Sequence, residues 1–218
     1  MNIILFGPPG AGKGTQAKRL ETALKLPQIS SGDIFRTIAQ EDTPEAEEIR
    51  TYHDSGRLVP DDLTIRIILK RLHEPDARNG FILDGFPRTL AQARALDQKL
   101  AQEGKKVDLA LYIMAPIEVL VSRIAGRMTC PNCGAIYNVA TNPPRRDNIC
   151  DVCGHVVIRR DDERPEVVQE RMEAYRRDTK PLADYYRRQG ILHEVDGSRA
   201  IDEVEARVDD AAGLKRAV

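Results

Sequence analysis

Ile3-Ile4-Leu5-Phe6-Gly7-Pro8-Pro9-Gly10-Ala11-Gly12-Lys13-Gly14-Thr15 sets an apolar run directly against a glycine-rich turn and a lysine. The apolar run reads as a buried strand, and the helix-period stretch from about 12 to 24 as the helix that follows it. Between them, glycines let backbone N–H groups curl around phosphate oxygens, and the helix N-terminus adds favourable dipole charge. Lys13 supplies a point charge for the outer phosphates. Ser or Thr usually follows such a lysine at once. Here Gly14 intervenes before Thr15, which leaves metal ligation by that hydroxyl open. A glycine turn with an incidental lysine is the plain alternative, and the preceding apolar strand argues against it.

Working outward, Phe81-Ile82-Leu83, 107–114 and the shorter 191–195 also read as buried strands. Helical patterns separate them near 63–72, 90–100, 117–124, 164–186 and 201–208. The 164–186 segment reads as one long helix, with Pro165 in its first turn and a bend at Pro181. Strand and helix alternation of this kind predicts an α/β fold, a parallel sheet covered by helices on both faces. Two segments break the alternation. Residues 30–59 read as small helices, and 127–163 as an inserted mini-domain holding all four cysteines. The expected division is therefore a core of 1–29, 60–126 and 164–218, with two small inserted lobes at 30–59 and 127–163.

At 218 residues the chain is long enough for one substantial core. A formal net charge of −1 argues against a broad nucleic-acid or anionic-membrane footprint. Neither a signal-peptide core nor a membrane-length apolar run is visible, so a cytoplasmic location is expected. In that reducing compartment paired cysteines are seldom disulfides.

Cys130-Pro131-Asn132-Cys133 and Cys150-Asp151-Val152-Cys153 are two C-x₂-C knuckles separated by sixteen residues. That spacing matches a tetrahedral four-cysteine Zn²⁺ site, and a closed shell of four thiolates makes the metal structural. Disulfides, His155 in place of Cys153, and iron in place of zinc are the alternatives. An insert of about 37 residues cannot sustain its own core, so a metal substitutes for apolar burial.

Phe81-Ile82-Leu83-Asp84-Gly85 looks like the partner of the glycine turn, a strand ending in a carboxylate that helps hold Mg²⁺. An Asp-Gly turn pair is its bland reading. Gly7–Thr15 with Gln16, then Ser30-Ser31-Gly32-Asp33-Ile34-Phe35-Arg36, then Asp84-Gly85-Phe86-Pro87-Arg88-Thr89, resemble the adenylate kinase family in order and spacing. The resemblance implies a P-loop NTPase-like sheet and transfer of a phosphoryl group from Mg-ATP to AMP, by a monomer. It implies that Gly10, Ala11, Gly12, Lys13, Gly14 and Thr15 hold the ATP phosphates. Arg127, Ile136, Tyr137 and Arg199 would add ATP contacts, partly through the backbone. Ser31, Arg36, Arg57, Leu58, Val59, Gly85, Phe86, Pro87, Arg88 and Gln92 would form the AMP site. Lys13, Asp84, Arg88, Arg123, Arg160 and Arg171 would carry the catalysis, Arg160 and Arg171 also facing AMP. Segment 30–59 becomes the AMP-binding lobe and 127–163 a zinc-bearing lid. Glu163 departs from the family's Asp, and Arg159 competes with Arg160 for its role.

The chemistry accounts for so many arginines. Two nucleotides bring several phosphate charges together, and guanidinium forks bridge phosphate oxygens without losing their own charge. Two rival readings remain. One is a kinase for UMP or CMP; the other is a non-catalytic, nucleotide-dependent regulator whose zinc knuckle binds a partner.

Overall fold

The computed structural model describes residues 1–214. Strand β1 (Asn2–Phe6) is buried along its whole length because it lies at the centre of a five-stranded parallel sheet. Its neighbours are β3 (Phe81–Asp84) and β4 (Leu109–Met114), flanked by β2 (Gln28–Ser30) and β7 (Leu192–Asp196) in the order β2-β3-β1-β4-β7. The period-2 alternation of side chains divides each strand between two cores. Ile4, Phe6, Phe81, Leu83, Ala110 and Tyr112 face one side. There they meet α4 (Asp61–Leu72), α5 (Leu90–Gln102) and α8 (Leu182–Arg188). Ile3, Leu5, Ile82, Leu109, Leu111 and Ile113 face the other. Helices α1 (Lys13–Leu24), α6 (Ile117–Ala125) and α9 (Ile201–Ala211) cover that side. A strand buried on both faces needs no polar residues, which is why these runs read as continuous apolar stretches.

Two small clusters stand apart from the sheet. Helices α2 (Ser31–Ile38) and α3 (Pro44–Ser55) close on Phe35, Ile49, Val59 and Leu63. The antiparallel pair β5 (Arg127–Thr129) and β6 (Ile136–Asn138) surrounds Cys130, Tyr137, Cys150 and Val157. Among the described residues no helix is long and apolar enough to cross a membrane.

Three elements differ from the sequence expectation. Strand β2 carries one apolar residue and pairs only with β3, so its three residues give no periodic signal. Strand β4 starts later than its apolar run, since the Asp108 carboxylate accepts the Asn2 backbone N–H at 2.7 Å. The expected single helix over 164–186 is three pieces. Helix α7 (Pro165–Ala174) gives way to a π-helical turn at Tyr175–Thr179 before α8. Pro181 has no N–H and excludes a carbonyl from the preceding turn. The Lys180 N–H bonds instead to the Tyr175 carbonyl, five residues back, at 2.8 Å.

The double-sided core sets an expectation. Leu111→Ala removes a fully buried side chain from β4 and is expected to cost about 2–5 kcal/mol in urea denaturation. Val121→Ala, on an exposed position of α6, should stay within about 0.5 kcal/mol of the parent.

Candidate functional site

All five strands of the main sheet are parallel, so their carboxyl ends open on one edge, where α/β folds gather ligands. The chain leaving β1 turns sharply at Gly7, whose φ is +145°. A Cβ there would stand 2.1 Å from the Ile113 carbonyl oxygen of β4, so only glycine passes. The turn ends at the N-terminus of α1. Among the described α-helices, α1 alone has neither a side-chain cap nor an acidic residue in its first turn. Its free N–H groups and positive dipole end are therefore left for an external anion.

Lys13 folds back over this turn and donates to the carbonyls of Gly7 and Pro8 at 3.0 and 2.9 Å. Loss of water contact pulls its pKa down to about 7; Asp84 opposes the fall, while Arg88, Arg127 and Arg171 add to it. Asp84, at the end of β3, is shifted the opposite way. Burial pushes its carboxyl above the ordinary range although Lys13 restrains it. An acceptor-only oxygen donor held at such a cost suits a hard divalent cation such as Mg²⁺.

Beyond the turn, arginines from distant segments crowd one another. Arg88 is pushed down to about 10 by burial and by Arg171, and Arg160 to about 10 by burial and by Arg36 and Arg127. Arg171 is lowered for the same reasons. All remain charged at neutral pH, so this is a pocket of repelling cations. Besides Asp84, three carboxylates relieve it in part. The first is Asp33, which pairs with Arg36 on α2; burial opposes its charge, yet Arg36 and Arg160 hold its carboxyl below the usual range. Asp162 accepts from Arg171 at 2.9 Å and faces Arg36 at 4.0 Å and His53 at 3.8 Å. Burial works against its charge, yet Arg171, His53, Arg36 and Arg160 outweigh burial and hold its carboxyl below the usual range. Glu163 pairs with Arg127 at 2.7 Å, and burial nevertheless pushes its carboxyl upward. Among the described residues the buried Nε of Arg160 and Oδ1 of Asp162 find no hydrogen-bond partner. Such orphans mark a site made for something further. Arg160 is turned inward and Arg159 outward.

Beside the arginines lies a cavity lined by Ser31, Arg36, Arg57, Leu58, Val59, Gly85, Arg88, Gln92, Arg171 and neighbours. Ser31 Oγ donates to the Gly85 carbonyl at 2.7 Å, tying α2 to the end of β3. Arg88 Nε donates to the same carbonyl at 2.7 Å. Phe86 is fully buried beneath this loop, and Pro87 is buried beside it. Of the other expected residues, Arg123 donates to the Gly197 carbonyl at 2.7 Å, beside the glycine turn, and stands apart from the arginine cluster. Arg199 is exposed and paired with Asp196 and Glu203. Ile136 reaches toward Gly14. The Tyr137 ring turns inward instead, its hydroxyl 3.4 Å from Cys150 Sγ and accepting the Asp151 N–H at 2.8 Å.

The four cysteine sulfurs lie within 4.8 Å of one another, with pairs at 3.4 and 3.5 Å. Tetrahedral zinc with Zn–S near 2.3 Å needs sulfurs about 3.8 Å apart, so the donor set fits such an ion. The two knuckles repeat one backbone plan. Gly134 and Gly154 follow the second cysteine of each at φ of +72° and +76°, and their N–H groups bond the carbonyls of Cys130 and Cys150. The repeated Cys-Gly, Cys133-Gly134 and Cys153-Gly154, is the sequence signal of this plan.

Sequence reasoning missed three other residues. His53, whose surroundings in the sequence show no catalytic spacing, lines the cavity. Thr179, delivered inward by the π turn, donates to the Arg88 carbonyl at 2.9 Å. Asp61 holds both Gln92 and Thr89. None belongs to a recognisable motif; only folded proximity reveals them.

Comparison with known proteins agrees with this geometry. The family model described as Adenylate kinase matches residues 5–191. An adenylate kinase of Archaeoglobus fulgidus is 49% identical over 209 residues, 96% of each chain. One from Syntrophomonas wolfei is 48% identical over 96% of this chain and 98% of its own. One from Methanosarcina mazei is 52% identical over 94% of both.

The Lys13 shift yields a signed expectation. An ammonium whose pKa is lower folded than unfolded destabilises the fold below the folded value, and the penalty fades as pH rises toward the unfolded value. Lys13→Met should therefore raise the melting temperature of the nucleotide-free protein. The gain should be largest at and below about pH 7 and shrink toward pH 10.5.

Proposed function

The chain belongs to the adenylate kinase family, and from that premise we propose how its own residues move the terminal phosphoryl group of Mg-ATP to AMP, reversibly, giving two ADP. The observation that carries the proposal is the cluster of Lys13, Arg36, Arg88, Arg160 and Arg171, buried and mutually repelling despite nearby carboxylates, between the α1 N-terminus and the cavity of Ser31 and Gln92. A cluster of this kind is complementary to phosphates on two nucleotides meeting end to end.

In this reading Gly10–Thr15 and the α1 N–H groups hold the ATP phosphates, with Lys13 turning from its own carbonyls to the outer phosphates. Arg36 and Arg88 seat the AMP phosphate, while Ser31, Leu58, Val59 and Gln92 receive the nucleoside. Phosphoryl transfer has a loose transition state with charge spread over equatorial oxygens, so alignment and fixed cations supply most of the acceleration. Arg123, Arg127, Arg160 and Arg171 take that charge. No general base is needed, because the AMP phosphate, with a second pKa of about 6, is largely ionised at neutral pH. Mg²⁺ bound with ATP would neutralise part of the phosphate charge, and Asp84 is the residue that would help hold it. Segments 30–59 and 127–163 act as the AMP-binding lobe and the lid, the latter excluding water so that the phosphoryl group goes to AMP. Every one of these groups comes from one chain, so a single protomer suffices for the chemistry.

Formation of ADP from ATP plus AMP in a coupled assay tests the reading. Failure to form ADP, or preference for UMP or CMP over AMP, would defeat it. Arg88→Ala is expected to keep the melting temperature while kcat falls by about 10³-fold or more; a folded variant with near-normal kcat would show that Arg88 is misplaced.

The four cysteines, we further propose, hold one structural Zn²⁺. Elemental analysis of protein purified without added metal should find about one zinc per chain. Cys150→Ser should lose the metal and melt at a lower temperature, since metal binding here is folding energy. Iron alone, or four titratable thiols with no metal, would contradict the assignment.

A further inference from the structure

We infer that Asp61 sets the base selectivity of the acceptor site by locking the direction of the Gln92 side-chain amide. Gln92 lines the acceptor cavity and is 2% exposed, so both ends of its amide must find partners within the protein. Its Oε1 accepts the Arg88 backbone N–H at 2.7 Å. Its Nε2 donates to Asp61 Oδ1 at 2.7 Å. The second oxygen of Asp61 accepts the Thr89 hydroxyl at 2.9 Å, and Thr89 Oγ1 in turn accepts the Gln92 backbone N–H at 3.2 Å, capping α5.

The direction of the amide follows from the chemistry of its partners. A backbone N–H can only donate, and an ionised carboxylate can only accept. Turning the amide over would set NH₂ against N–H at one end and oxygen against carboxylate at the other. Each end keeps one unused valence, a lone pair on Oε1 and a hydrogen on Nε2. These form a donor–acceptor pair of fixed order.

Adenine offers an amino donor at C6 beside an acceptor at N1. A 6-oxopurine offers the reverse, an acceptor at C6 beside an N1–H donor. An amide of fixed direction matches one order and opposes the other, whereas an amide free to turn accommodates both. Asp61 is thus a positioning residue, acting through Gln92 without touching substrate. Its other evident role, a negative charge at the start of α4, is shared with the adjacent Asp62. What Asp61 alone does is aim its two oxygens at Gln92 and Thr89.

The inference rests on the reading above that Gln92 faces the base of AMP, and the test separates the two. The measured quantity is the ratio of kcat/KM for AMP to that for IMP, whose base is the 6-oxo counterpart. In Asp61→Asn the side chain can present either end of its own amide, so only the Arg88 N–H still opposes a turned Gln92, which is then penalised at one end instead of two. The ratio is expected to fall by about tenfold or more, the scale of a bidentate base contact, with part of the change appearing as a gain toward IMP. Asp61→Ser, which removes the carboxylate altogether, is expected to move the ratio the same way and serves if the first variant folds poorly. An unchanged ratio with lower activity toward both acceptors would overturn the lock and leave Asp61 a support for the turn. Gln92→Ala supplies the second arm. If it collapses the ratio while the Asp61 variants do not, the lock is wrong and the base contact stands. If it leaves the ratio unmoved, the base contact and the lock both fall.

Discussion

Mutual repulsion among cations held away from water is the constraint around which this molecule is organised. Lys13, Arg88, Arg160 and Arg171 each pay for their position in a lowered pKa. Such groups would swing into solvent if their anchors were soft. Lys13 and Arg88 are held because their segments leave the ends of β1 and β3, strands of the central sheet, and Arg171 because α7 packs on the same core through Val168 and Met172; packed cores do not deform continuously. The apolar centre of the sheet is thus what keeps an unfavourable charge arrangement in place. A phosphate-bearing ligand turns the same arrangement into a favourable one.

Asp162 and Glu163 show how the ligand-free molecule tolerates this. Both lie in the short turn leading into α7, and they pair with Arg171 and Arg127. Asp162 also faces Arg36 on α2 and His53 on α3. One carboxylate therefore joins the end of the 127–163 insert to the 30–59 segment, through groups assigned to phosphate binding. The cysteine-bearing end of the insert has a different task. With little apolar surface of its own, it draws its rigidity from four convergent sulfurs and the Tyr137 hydroxyl beside them.

Arg88 shows the same economy on a smaller scale. Its side chain bonds the Gly85 carbonyl, its carbonyl accepts from Thr179, and its N–H fixes Gln92, which Asp61 fixes from the other side. The groups proposed for phosphate binding and for base recognition thus meet at one loop, which α4, α5 and the π turn each hold from a different direction. The π turn is part of this support. Without the extra residue it accommodates, Thr179 would face elsewhere on the helix.

Local chemistry decided a great deal from sequence alone. An apolar run followed by glycines and Lys13, a strand ending in Asp84, and Cys-x₂-Cys repeated after sixteen residues each state their own geometry, because strand period, turn chemistry and ligand spacing act over a few residues. The parallel sheet and the helical covering on both faces were readable for that reason, whereas the candidate arginines came from the resemblance to the family's motifs. Strand β2, the break at Tyr175–Thr179, and the parts played by Asp61, Thr179 and His53 were not. The π turn is a local response to Pro181 whose form a bend at that proline does not specify, whereas strand β2 and the parts of Asp61, Thr179 and His53 depend on partners 28 to 109 positions away. No local pattern encodes a contact of that kind; it exists only once the chain has closed around its sheet.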